Sequence, residues 1–320
     1  MWPTKPYTHS VDLPAIFEVA AFVIGLLFGS FLNVCISRLP KHESVATPRS
    51  RCLECGRSIR WFDNIPLVSW LILRGRCRDC GTAIPWRYPL VELAIGFWFL
   101  LVGRELSLLQ VNKVSGLSGP TPAEYIGILA FAVLGFLLIG LMVMDWQTMI
   151  LPNAFTLGGI AIALFLVCTQ AIFLGPNEDQ VLLTKHSLHL TSPGGVRDYG
   201  NVFLTGPESL ILGRIAAVCG MALFLLAIRW LYKAIRHREG MGLGDVKLLA
   251  MIAAFLGFWL AILSLFIGTL GAGVYGAVLL TRGRAGATSK LPFGSFLCVG
   301  GLVAAMYGNR LIDMYIALLR

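Results

Sequence analysis

Along the chain, long apolar runs alternate with shorter polar stretches that gather most of the charge. A membrane-crossing helix needs about 20 mostly apolar residues to span a hydrocarbon core about 30 Å thick. Runs of that kind occur at Leu13–Ile36, Tyr88–Leu109, Tyr125–Met144, Phe155–Leu174 and Ser209–Tyr232, with a last one at Phe293–Tyr307. Between Leu248 and Leu280 lie 33 mostly apolar residues, long for one crossing and tight for two, with Gly257-Phe258-Trp259 as the predicted turn. The pattern predicts an all-α polytopic membrane protein with about eight transmembrane helices. In the first run, Ser30 and Asn33 fall three apart on one helical face, where they can hydrogen-bond to neighbouring helices.

Composition agrees: 57% of the 320 residues are hydrophobic and only 13% are charged, where a soluble domain carries about 25% charge. The net charge of +9 is local, because residues 37–87 hold ten Lys/Arg against four Asp/Glu, six of the nine net positive charges. Cytoplasmic loops collect Lys and Arg. Placing the basic stretches 37–87, Lys233–Lys247 and Arg282–Lys290 in the cytoplasm requires two crossings between Leu248 and Leu280 and puts both termini outside. No recognised nucleic-acid motif accompanies the arginines, so a nucleic-acid partner is not expected. Met1–Leu13 and the run after it lack a clear small-residue cleavage site, and a retained first span is expected. The predicted organisation is a tail and first helix (1–36), a polar insert (37–87) and a transmembrane domain (88–320).

The insert carries Cys52-x-x-Cys55 and Cys77-x-x-Cys80, 21 residues apart, each followed by a glycine, Gly56 and Gly81. Paired C-x-x-C knuckles supply four thiolates for a tetrahedral zinc site. Two disulfides are the competing reading, disfavoured in a reducing cytoplasm. A closed four-thiolate site is structural rather than catalytic, and about 50 residues build too little core to fold without such a staple. Cys35, Cys168, Cys219 and Cys298 lie in apolar runs and read as small packing residues.

Two carboxylates stand at the edges of apolar runs. Asp145 closes the third run and precedes Trp146 through Pro152, which cannot continue a helix interior. Asp245 follows three alternating glycines (Gly240, Gly242, Gly244) at the start of an apolar run, where a helix dipole favours negative charge. Charge beside hydrocarbon costs several kcal/mol, about 2.5–3.5 on insertion scales, so an acid there is a functional-site hypothesis by default. Each alone is equally a helix cap or a snorkelling charge. Together, on one side of the membrane, they suggest an acid pair that shares a proton, one activating water and the other protonating a peptide carbonyl. The five histidines lie in terminal or loop positions, with no Ser/His/Asp arrangement.

The residues Gly240-Met-Gly-Leu-Gly-Asp-Val-Lys-Leu-Leu-Ala250 resemble the GxGD signature of the type 4 prepilin peptidases, a class of membrane aspartic endopeptidases. Asp145 with Ile150-Leu-Pro152, the stretch Pro48–Cys52, Asn64–Leu71, Arg74–Cys77, Gly29–Val34, Arg87–Glu92 and Pro292-Phe-Gly294 are similar to further family segments, from about residue 22 to 308. The resemblance implies cleavage of the basic leader of type IV prepilins or type II secretion pseudopilins at the cytoplasmic face of the inner membrane. It implies Asp145 and Asp245 as the catalytic pair, zinc on Cys52, Cys55, Cys77 and Cys80, and pilus or type II secretion machinery as partners. Many members also N-methylate the new N-terminus with S-adenosylmethionine; the chain has no Rossmann glycine fingerprint, so this rests on resemblance. Asn153 and Ser295 depart from the Asp and Pro common in the family, and neither is expected to touch the acid pair. A methyltransferase with an idle protease site and a non-enzymatic zinc-ribbon adaptor are the alternatives. A transporter with glycine-broken helices is a further one, disfavoured by the lack of an internal repeat. The outer segment 175–208 reads as a solvated loop.

Overall fold

A computed structural model describes residues 12–47, 50–52, 54–114, 121–173, 207–237, 242–283 and 291–319. The N-terminal tail through residue 11, Pro48 and Arg49, Glu239–Met241 of the glycine stretch, residues 284–290 and nearly all of the outer segment, with His186 and His189, lie outside the described residues.

The described residues are helical, with no strand among them and two isolated β-bridges, Arg51 with Ser58 and Arg76 with Ala83. In chain order the helices are α1 (Asp12–Arg38), the short α2 (Val68–Ile72), α3 (Arg87–Val114), α4 (Pro122–Thr148), α5 (Asn153–Phe173), α6 (Pro207–Arg236), α7 (Leu243–Leu256), α8 (Phe258–Thr281) and α9 (Phe293–Leu319). Six of them, α1, α4, α5, α6, α8 and α9, are long and apolar enough to cross a membrane. The eight-helix expectation also counts α3, which carries Arg87, Glu92, Arg104 and Glu105, and α7, which has only 14 residues. The break foreseen at Gly257 is there: it caps α7 and α8 at φ 88 and ψ −179, a conformation that only glycine takes readily. The last helix runs 12 residues past its expected end at Tyr307, because Asn309, Arg310 and Asp313 interrupt the apolar run without breaking the helix.

The chain forms two compact units, residues 1–139 and 140–320. In the first, α1 and α3 pack along their length, and small residues set the distance. A Cβ on Gly25 would meet the Phe99 Cβ at 2.6 Å, and one on Gly29 would meet the Glu92 Cα at 2.6 Å. Without a hydrophobic drive between helices in lipid, such close approach and interhelical hydrogen bonds hold them together. Asn33 Nδ2 accordingly donates to the Tyr88 carbonyl at 3.0 Å.

In the second unit α7 is the hub, packed by α5, α6, α8 and α9. Every residue from Leu248 to Phe255 is buried. Cys35 and Cys298 are buried as packing residues, whereas Cys168 and Cys219 point outward from their helices. An apolar run does not say which of its faces is turned inward, and these two thiols lie on the outer one.

Candidate active site and four-thiol cluster

Asp145 lies in the last turn of α4, whose end is fixed by the left-handed Met149 (φ 52) and by Pro152 ahead of α5. It is 5% exposed. Its Oδ2 accepts the backbone N–H of Ser295 at 2.6 Å and lies 3.0 Å from the Ser295 hydroxyl. Ser295 thus touches the acid pair, against the sequence expectation. Its N–H belongs to the first turn of α9, where N–H groups have no helical partner and an anion is favoured. Gly294 makes the approach possible: a Cβ there would stand 3.0 Å from the Asp145 Cγ and Oδ2.

Asp245 occupies the first turn of α7, whose N-cap is Gly242. It is half-buried, and its carboxylate and that of Asp145 lie within reach of each other's charge. Both charges also reach the buried Cys298, one turn along α9 from Ser295. Two residues on, Lys247 Nζ donates to Asn153 Oδ1 at 2.9 Å, tying the start of α7 to the start of α5. Leu151 packs against Gly244, where a Cβ would meet it at 3.1 Å. Trp146, Tyr275 and Phe296 form an aromatic group beside Asp145 and Ser295, with centroids 5.4 to 6.4 Å apart. Two carboxylates within reach of each other's charge, with helix N-termini beside them, can divide acid and base roles.

The first unit holds the four cysteines. Each knuckle is the same small turn: Cys52 N–H donates to the Arg57 carbonyl and Gly56 N–H to Cys52, while Cys77 N–H donates to Thr82 and Gly81 N–H to Cys77. Gly56 and Gly81 take the left-handed φ these turns need, 70° and 72°. The Sγ atoms of Cys52, Cys55, Cys77 and Cys80 all lie within 4.8 Å of one another, and Cys52 and Cys80 are 3.8 Å apart. A tetrahedral zinc with Zn–S near 2.3 Å spaces its sulfurs by about 3.8 Å. The four thiols can hold a metal ion. The Thr82 hydroxyl and backbone N–H draw the Cys80 thiol down to about 6, while in the same cluster the neighbouring Cys52 and Cys80 leave the Cys55 thiol raised to about 11.

Around the cluster, Arg78 Nε and Nη2 grip Asp63 at 2.6 to 3.1 Å, which holds the Asp63 carboxyl below its ordinary range. Trp70 packs against Trp86 with ring centroids 4.3 Å apart and the rings tilted by 53°. Glu92, buried in α3, accepts the Leu67 N–H at 2.8 Å and so fastens the entry of α2 to the α1–α3 pair. Sequence reasoning quoted Glu92 only within a family segment. A carboxylate inside the apolar run Tyr88–Leu109 was the signal that marked it for a role of its own.

Taken together, the fold and these two sites define a multi-pass membrane protein with a carboxylate pair at its helix ends and, outside its spans, a cluster of four thiols able to hold a metal ion. Residues 23–106 match the bacterial peptidase A24 N-terminal domain, and residues 197–277 match the type IV leader peptidase family. Proteins named prepilin leader peptidase/N-methyltransferase are similar over most of the chain. The one from Stutzerimonas stutzeri is 30% identical over 98% of this chain and 99% of its own. That from Burkholderia pseudomallei (strain 1026b) is 31% identical over 95% and 90%, and that from Myxococcus xanthus 34% identical over 87% and 69%. The chain belongs to the prepilin leader peptidase/N-methyltransferase family. No solved structure matches it.

Proposed function

We propose that the protein cleaves the basic leader from type IV prepilins or type II secretion pseudopilins at the cytoplasmic face of the bacterial inner membrane, and N-methylates the new N-terminus. Asp145 and Asp245 form the catalytic pair. The observation that carries this reading is their convergence: a hundred residues apart in sequence, both sit in terminal helical turns of one unit, each within reach of the other's charge.

In the hydrolysis, one carboxylate takes a proton from water as its oxygen bonds to the scissile carbonyl carbon. The other carboxyl protonates the departing amide nitrogen as the C–N bond breaks, and the pair returns to one shared proton. Basic residues of the leader are drawn to the anionic cytoplasmic lipid surface, which brings the cut site to the membrane edge. The four cysteines hold a structural zinc that folds the insert. S-adenosylmethionine supplies the methyl group when bound; with no glycine-rich nucleotide loop in the chain, none of its residues is assigned to that cofactor.

The test is co-expression of a prepilin with wild type, Asp145→Asn or Asp245→Asn, followed by the mass of the product's N-terminus. Loss of cleavage in both variants at unchanged expression is expected, with one added methyl group on the wild-type product. Normal cleavage by either variant sinks the two-aspartate reading and favours a methyltransferase alone. For the cluster, elemental analysis of purified protein is expected to give one zinc per chain, lost in Cys77→Ser; metal-free wild type would refute it.

A further inference from the structure

We propose that Ser295 is a positioning residue for the carboxylate pair: it holds Asp145 by one oxygen and leaves the other to take part in the chemistry. The inference rests on the two-aspartate reading above and concerns how the pair is set.

The backbone N–H of Ser295 reaches Asp145 Oδ2 at 2.6 Å and the Pro292 carbonyl at 3.2 Å, so its main partner is the carboxylate. The hydroxyl lies 3.0 Å from the same Oδ2 and 2.9 Å from the Met142 carbonyl, on the turn of α4 before Asp145. A hydroxyl has one hydrogen to give and here has two acceptors at equal range. Oδ2 is therefore committed to Ser295, with a fixed N–H and a donor that can turn away. Among the described residues no hydrogen bond reaches Oδ1.

This arrangement suits a carboxylate whose charge comes and goes. While Asp145 is ionised, the N–H and the hydroxyl both point at it, and hydrogen bonds to a charged group are the strong ones. When Oδ1 takes a proton from water, the hydroxyl can rotate to the Met142 carbonyl, keeping its own proton. When Asp145 gives the proton up, the hydroxyl returns. Ser295 exchanges no proton with the substrate and acts only through Asp145. Gly294 lets its backbone come this close, and the 3% exposure of Ser295 keeps water from competing for Oδ2.

The test uses the full chain, purified, and initial rates on a prepilin substrate, with Ser295→Ala, Ser295→Thr and Ser295→Pro beside Asp145→Asn. Alanine keeps the N–H and loses the hydroxyl. Threonine keeps both donors. Proline fits the first turn of a helix but supplies neither. Ser295→Ala is expected to lower kcat roughly 10-fold with KM unchanged, as loss of a hydrogen bond to a charged group does. Threonine is expected to recover most of that rate, and proline to be at least as slow as alanine. If Asp145→Asn still cleaves, the two-aspartate reading itself fails. If Asp145→Asn is inactive while Ser295→Ala keeps the wild-type kcat, the positioning role is overturned. A rise in KM alone, which would mark a substrate contact, also overturns it. So does equal loss in alanine and threonine with a lowered melting temperature, which would mark a packing role.

Discussion

The Asp145 carboxyl is confined from three directions. Its own helix ends three residues later at Thr148, Ser295 binds its Oδ2, and the Gly294 backbone lies against its carboxyl carbon. A methyl group at 294 would need space that the carboxyl already fills at 3.0 Å, and neither the buried Asp145 nor the start of α9 can move far. Gly294→Ala is therefore expected to displace Asp145 by a few tenths of an ångström and to lower leader cleavage by roughly 10- to 100-fold, since misplacement of a reacting group is costly. Expression should stay as in wild type. Cleavage at the wild-type rate would show that α9 yields without cost. Asp145 and Asp245 are legible as candidates in the sequence because an acid beside hydrocarbon stands out whatever surrounds it, and the cysteines because of their paired spacing. Ser295 is not. Its contact with Asp145 spans 150 residues and depends on how the start of α9 meets the end of α4, which no local pattern encodes. The same holds for Glu92, whose partner Leu67 lies in another element.

At the scale of elements, the least ordinary helix is α7. Fourteen residues rise about 21 Å, short of a hydrocarbon core about 30 Å thick. It is nevertheless the most buried helix of its unit, and Asp245 rides on its first turn. Gly257 ends it in a backbone conformation closed to other residues, and the Arg214 guanidinium of α6 lies over that turn, 2.8 Å from where a Cβ would stand. Gly257→Ala combines backbone strain of about 1–3 kcal/mol with a clash against that side chain. A clear drop in the melting temperature of the purified protein is expected. A melt indistinguishable from wild type would mean that the turn re-forms at little cost. The break at Gly257 was readable from the length of the run and the glycine in it. The start of α7 was not, because Gly242 to Lys247 reads as a loop until the helix is seen to begin at Leu243 inside it.

For the whole molecule the open quantity is the number of crossings, and charge at helix ends bears on it. Arg38 closes α1, Lys233 and Arg236 lie in the last turn of α6, and Arg282 caps α8. If basic ends face the cytoplasm, α6 delivers the chain there, α7 starts there, and α8 returns it there. Gly257 must then face the opposite side, or lie at a depth that opens toward it. Trp259 beside that turn is 60% exposed and suits a probe. A cysteine at Trp259 is expected to react with a membrane-impermeant maleimide added outside intact cells, and one at Arg282 only after permeabilisation. That outcome gives α7 and α8 one crossing each and places Asp245 at the cytoplasmic edge, where a basic leader arrives. Labelling of both from the cytoplasmic side alone would make α7 and α8 a re-entrant pair and remove two crossings from the expected eight. Labelling of Arg282→Cys from outside would invert the topology and put the carboxylate pair on the wrong side for leader cleavage.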